Sequence, residues 1–129
     1  MLELIYNEES LKKQMLEKRH NFILAEQQTE ALGFTSFEIN YNSEHQLMIH
    51  KLYLLPLAQG MGIGTKLLNV LSEIALQNKN SQLRLKVFYQ NTKAINFYEK
   101  YGFKNIGTET TDIGNNYSIL DNVMVKQLG

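Results

Sequence analysis

The sequence predicts an α/β domain of the α+β kind: a mixed, mostly antiparallel central sheet of about six strands, flanked by helices. Three observations carry this. Three β-compatible runs follow one another between residues 21 and 55, separated by polar turns. A glycine-rich turn and an amphipathic helix then lead to a fourth such run, the pattern of a βαβ crossover. Two last runs meet around Gly114-Asn115-Asn116, a hairpin signal. A chain of 129 residues fits a single domain over residues 1–129.

Taken in order, residues 8–19 read as a helix, with Leu11, Met15 and Leu16 on one face among charged residues. Residues 21–26 read as a strand, 27–29 as a tight reversal, and 31–40 as a second strand interrupted by Gly33. After a polar turn at 41–44, residues 46–55 are long, apolar and β-compatible, as in a central strand. Pro56 lacks the N–H a ladder needs and should end it. From Gly62 to about Asn78, Leu67, Leu68, Leu71, Ile74 and Ala75 recur at spacings of three and four, which predicts a helix with one buried stripe. Leu83, Leu85 and Val87 alternate with Arg84, Lys86 and Phe88, a further strand. Residues 92–101 read as a helix with Ala94, Phe97, Tyr98 and Tyr101 on one side, closed by Gly102 as a left-handed cap. Residues 103–111 and 118–128 form the closing antiparallel pair.

Composition narrows the function. Thirteen basic and thirteen acidic side chains leave a formal net charge of zero, so no basic field draws nucleic acid or an anionic membrane. Cysteine is absent, which excludes disulfides and thiolate metal sites and fits a reducing compartment such as the cytoplasm. No run approaches the roughly 18 apolar residues of a membrane span. The start of the chain carries acid early and lacks the apolar core of a signal peptide. Asn116-Tyr117-Ser118 matches a glycosylation sequon, read here as chance.

The most informative segment is the turn Gln59-Gly60-Met61-Gly62-Ile63-Gly64-Thr65, between the central strand and the best helix. A helix start leaves about four N–H groups unpaired and carries partial positive charge. Glycines let those donors approach an anion closely. The order Gly64-Thr65-Lys66 breaks the P-loop pattern, and Gly-x-Gly-x-Gly after three meander strands is not the dinucleotide fingerprint.

Gln59-x-x-Gly62-x-Gly64 resembles the Gln/Arg-x-x-Gly-x-Gly/Ala signature of the GCN5-related N-acetyltransferases. Two further segments strengthen the likeness. Tyr53-Leu54-Leu55-Pro56 is similar to that family's strand end. Residues 91–103, NTKAINFYEKYGF, look like its Asn-x-x-Ala-x-x-Phe-Tyr-x-x-x-Gly-Phe segment. The closing strands look somewhat like the polyamine acetyltransferase-like branch. The resemblance implies the acyl-coenzyme A N-acyltransferase fold, here with an abbreviated N-terminus. Residues 1–6 then supply a shortened first strand or leave the sheet edge open, and an open edge invites a homodimer.

The same resemblance implies an acetyl-coenzyme A-dependent enzyme. Backbone N–H groups of Gln59, Gly60, Met61, Gly62, Ile63, Gly64 and Thr65 would hold the pyrophosphate. The backbone at Leu54 and Leu55 would pair with the pantetheine arm, and the thioester would sit in a gap between residues 50–55 and 83–89. Asn91 matches the side chain that bonds the pantetheine; as a plain sequence reading it is also a helix cap, a role Thr92 could take instead. Tyr98 matches the acid that protonates the departing thiolate, and is equally placed to be a core aromatic. The general base stays open. The strand position that often carries a carboxylate falls at Met48, which leaves His50, Glu26, Glu38 or a chain of ordered water. Direct transfer of this kind requires no metal and no covalent intermediate. His20 and His45 read as surface residues in turns, and Glu109, Asp112 and Asp121 as a solvated face that could also line an amine site. The expected acceptor is a small-molecule amine or polyamine, less readily a protein amino group. The competing reading is a non-catalytic acyl-coenzyme A sensor or regulatory subunit, suggested by the missing strand carboxylate.

Overall fold

A computed structural model describes residues 2–5, 20–28 and 30–129. The predicted helix at 8–19 lies outside these residues. One sheet of seven strands organises the rest, in the order β1-β2-β3-β4-β5-β7-β6. The strands are β1 (Leu2–Ile5), β2 (Asn21–Gln27), β3 (Glu30–Glu38), β4 (Gln46–Leu54), β5 (Gln82–Phe88), β6 (Lys104–Gly114) and β7 (Tyr117–Gln127). Only β4 and β5 run parallel; every other neighbouring pair is antiparallel. The mixed, mostly antiparallel sheet is therefore as expected. The strand count rises from six to seven because the first residues pair with β2, the shortened-strand alternative. The sequence pattern did not show that β7 inserts between β5 and β6.

Among the described residues two α-helices pack on one face of this sheet: α1 (Ile63–Gln77) and α2 (Thr92–Tyr101). The stripe of α1 buries Leu67, Leu68, Leu71 and Ala75 completely, against Ile23, Ala25, Phe37, Leu47, Leu83 and Leu85. Burying one such aliphatic side chain contributes about 1.5–3 kcal/mol. The α2 helix adds Tyr98 to this core and ends at Gly102, whose φ of +119° is the left-handed cap expected. Tyr101 ties the two helices together, its hydroxyl donating to Asn69 at 2.7 Å. The far end of α1 is fastened to the β3–β4 turn through fully buried Asn80, which exchanges hydrogen bonds with Asn40 at 2.9 and 2.7 Å.

Turn chemistry follows the sequence closely. Gln28 between β2 and β3, Asn40, Asn42 and Ser43 before β4, and Asn115 and Asn116 between β6 and β7 all take positive φ. Asparagine tolerates that region better than most residues. Among the described residues no helix is long and apolar enough to cross a membrane.

Candidate functional site: a split sheet above an unpaired helix start

The βαβ crossover creates the site. β4 and β5 are bonded only from the Gln46–Gln82 pair to the Ile49–Leu85 pair. Beyond it, β4 stays with β3 to Leu54 and β5 stays with β7 to Phe88, so the sheet splits into a V. The split begins at a bulge. Ser36 pairs with Lys51 and Phe37 with Ile49, so His50 is an extra residue on β4. The bulge also shifts the alternation of side chains. Leu47 and Ile49 face the helical layer before it, and Leu52 and Leu54 do so after it. Leu52 and Leu54 thereby wall a cleft of about 460 Å³ beside the V, within the usual range of small-molecule sites.

The backbone of β4 faces the V at alternate residues. Leu55 N–H donates to Leu32 at 2.8 Å, and its carbonyl accepts from Ala58. In an antiparallel ladder the preceding residue then turns its polar groups the other way. Leu54 thus presents its N–H and C=O to the gap. Leu55, expected to share that task, is committed to β3 and to the turn.

The loop at the cleft floor is a row of donors. Gly60 and Gly62 have φ of +86° and +76°, the left-handed region that glycine enters without strain. Gly62 caps α1 with no side-chain partner, and the first helical bond is Lys66 N–H to Gly62. Among the described residues, the N–H groups of Gly60, Gly62, Ile63, Gly64 and Thr65 have no acceptor. Gln59 and Met61 differ from expectation: their N–H groups already donate to Pro56 and Ala58, at 3.3 Å each. Gly64 serves closeness rather than turning. A Cβ there would meet the Phe97 ring at 3.0 Å, so only hydrogen lets α1 and α2 approach so nearly beneath the cleft.

The α2 helix supplies the opposite wall. Asn91 caps it, its Oδ1 accepting from Ala94 N–H at 3.2 Å, so the cap is Asn91 and not Thr92. Its Nδ2 remains a donor at the cleft, so the cap and a ligand contact are compatible. Lys93 reaches across and donates to Gln59 Oε1 at 2.8 Å, setting an ammonium over the glycine loop. Sequence reasoning took Lys93 only as part of the helix, because its partner lies 34 residues away. Tyr98 lines the cleft, and among the described residues its hydroxyl makes no hydrogen bond. Burial pushes its pKa up to about 12, so the phenol keeps its proton at neutral pH.

His50 stands on the other face of the sheet from Tyr98. It bonds Glu38 at 3.1 Å, and Glu38 sits opposite Met48, which is outside the core between sheet and helices. His20, expected at the surface, is half-buried instead: its ring stacks on His50 at 3.9 Å and its Nε2 lies 3.7 Å from the same carboxylate. Tyr41 meets the His50 ring edge-on at 5.8 Å. Glu26 is elsewhere. It pairs with Ala31 and Glu3 near the far end of β2 and does not line the cleft. Asp112 accepts from Gly114 N–H within its turn, and exposed Glu109 lies 3.9 Å from Lys86.

Comparison with known proteins agrees with this architecture. Residues 2–103 match the model of the Acetyltransferase (GNAT) family. The uncharacterized N-acetyltransferase YhfO of Bacillus subtilis is 31% identical over 100 residues, 74% of this chain and 67% of that protein. The thialysine N-epsilon-acetyltransferase of Mus musculus is 38% identical over 58 residues, 45% of this chain and 34% of that enzyme. The chain thus spans about a third of the mouse enzyme's length. Among solved structures, the ribosomal-protein-S18-alanine N-acetyltransferase from Escherichia coli superposes with a TM-score of 0.79 at 16% identity, covering 100% of this chain and 95% of that one. An IAA acetyltransferase from Bacillus cereus gives 0.75 at 20% identity, with 99% of each chain covered. At such identities the likeness is one of fold. With its split sheet, its unpaired helix start and a family match over residues 2–103, the chain belongs to the acetyltransferase (GNAT) family.

Proposed function

We propose that this protein transfers the acetyl group of acetyl-coenzyme A to a primary amine, by direct attack within a ternary complex. One observation carries the reading: five main-chain N–H groups at and just before the start of α1, unpaired among the described residues, lie along a cleft walled by Leu52 and Leu54 of β4, beside the split between β4 and β5. Donors so arranged suit a diphosphate. An unpaired strand edge suits an extended, amide-bearing arm, which would bond Leu54 as an added strand does.

The cosubstrate supplies an activated thioester carbonyl. The chain's own groups do the rest. Gly60 and Gly62 to Thr65 anchor the diphosphate, with Lys93 adding charge. Leu54 C=O and Asn91 Nδ2 orient the arm, which leaves the Leu54 N–H facing the gap for a developing oxyanion. His50, at the apex of the V on the outer face, removes the amine's proton. Tyr98, on the inner face, returns one to the sulfur. A phenol of pKa about 12 gives up its proton only to a base of similar strength. The same burial that raises the phenol raises a thiolate beside it, which narrows the mismatch inside the cleft. Acid and base on opposite faces let the amine enter from one side while the thiol leaves on the other.

The acceptor class we assign is a small amine or polyamine, in line with the thialysine named for one relative, with a protein amino group second. Zero net charge fits neither nucleic acid nor an anionic membrane as partner. A cytoplasmic setting accords with the absence of cysteine. Pairing of two copies is supported by β6, an edge strand of 11 residues exposed along its whole length; sedimentation as a strict monomer at high micromolar concentration would remove it. The central experiment is thiol release from acetyl-coenzyme A with thialysine, lysine, spermidine and an alanine-terminated peptide. Stabilisation by acetyl-coenzyme A without thiol release from any amine would make the protein a sensor instead.

A further inference from the structure

The outer face of the split sheet carries a cluster that no step above has used in full. Glu38, His50 and His20 come from three separate segments, and their side chains are only 18%, 21% and 24% exposed. Their ligating atoms lie within 4.8 Å of one another, close enough to meet at a cation. The two imidazole planes, however, stack within 20°. Ring lone pairs lie in the ring plane, so stacked rings aim theirs side by side rather than at one point. The contact instead has the form of a carboxylate–imidazole pair with a second ring laid against it.

We propose that Glu38 is the positioning residue for His50 in acetyl transfer, a role that rests on the reading of His50 as the base. A carboxylate only accepts, so the bond at 3.1 Å places the proton of His50 on Nε2. Nδ1 is then the atom that takes the amine's proton. Once it does, the ring is a cation held against a carboxylate already in place, with no rearrangement needed. The stacked His20 and the edge-on Tyr41 fix the plane of the ring. The bulge explains why this must be built by neighbours. The extra residue of a bulge is left out of the ladder, so its side chain is aimed by its contacts. Ser36, two residues before Glu38 on the same face of β3, has a buried Oγ with no hydrogen-bond partner among the described residues.

The test is steady-state kinetics on His50→Gln, Glu38→Gln, Glu38→Asp and the double variant His50→Gln/Glu38→Gln, with the panel amine of highest turnover. Imidazole 15N spectra of wild type and Glu38→Ala accompany it. Glu38→Gln should lower kcat roughly 10- to 100-fold, less than the roughly 10²–10⁴-fold a base itself contributes, with the KM for acetyl-coenzyme A unchanged. Glu38→Asp should recover part of that loss. In the His50→Gln background Glu38→Gln should change nothing further, because it acts through the ring. The spectra should show His50 protonated on Nε2 in the wild type and as a tautomer mixture in Glu38→Ala. Full turnover in His50→Gln would reject the base itself. A defective His50→Gln beside a fully active Glu38→Gln would reject the positioning role alone, and so would additive losses in the double variant. A wild-type spectrum with the proton on Nδ1 would reject it without any substrate. Thermal stabilisation by Zn²⁺ that Glu38→Gln abolishes would assign the cluster to a metal and overturn the proposal.

Discussion

Replacing Gly62 separates the roles of conformation and charge in the glycine loop. Gly62 has a φ of +76°, and a Cβ built there meets nothing within 4 Å. A substitution is therefore strained but not crowded. Alanine in the left-handed region costs roughly 1–2 kcal/mol, which for a domain of this size lowers Tm by about 4–8 °C. Aspartate enters that region more readily and places an anion at a helix start, which returns about 0.3–1 kcal/mol. Gly62→Asp should thus be the more stable of the two variants. Binding should run the other way. A carboxylate about 4 Å from a phosphate repels it by about 4 kcal/mol at an effective dielectric near 20. The loop is open to solvent, and with roughly half of that remaining the Kd for acetyl-coenzyme A rises at least ~30-fold. Gly62→Ala should lose less than about tenfold. Calorimetric titration and thermal melts on both variants give the two orders. Equal affinities in Ala and Asp would refute the idea that this loop holds a diphosphate.

Tyr98→Phe should reduce kcat by roughly 100-fold or more at unchanged affinity for acetyl-coenzyme A, measured as thiol release beside calorimetry. The phenol of Tyr98 also ties stability to pH. Its folded pKa of about 12 lies above the unfolded value of 10.0, so its contribution is complete below pH 10 and is lost as pH rises toward 12. Alkaline denaturation should be milder in Tyr98→Phe than in the wild type, by up to roughly 3 kcal/mol. Asn91→Asp keeps the cap acceptor but removes the Nδ2 donor: Tm should hold while the KM for acetyl-coenzyme A rises roughly fivefold or more. Ser36→Ala removes a buried hydroxyl that has no partner among the described residues, so Tm should rise by a few degrees, read by calorimetry.

Local patterns were enough for the described elements from β2 onward. The stripe of α1, the alternation of β5 and the glycine after α2 each encode their structure within a few residues, and α2 runs from Thr92 to Tyr101 as its spacing predicts. The glycine loop was legible for the same reason, since its donors come from consecutive residues. What the sequence hid was non-local. Leu55 loses its role because Leu32, 23 positions earlier, takes its N–H. His20 looks like a turn residue until β2, β3 and β4 assemble and bring Glu38 and His50 to it. The insertion of β7 between β5 and β6 is a choice of pairing, not of propensity, and leaves no mark on either strand's pattern.

The additional residue on β4 has a consequence for any attempt to re-engineer this protein. It works as a half-period shift in an otherwise binary code, so the strand carries two reading frames that share one backbone. Deleting His50 would do more than remove a side chain. It would merge the frames into one unbroken alternation, with Leu47, Ile49, Leu52 and Leu54 all still toward the helices, and would remove the irregularity at which the sheet splits. A substitution at this position changes the chemistry of the bulge, whereas a one-residue deletion spares the core pattern and acts on the opening of the sheet itself.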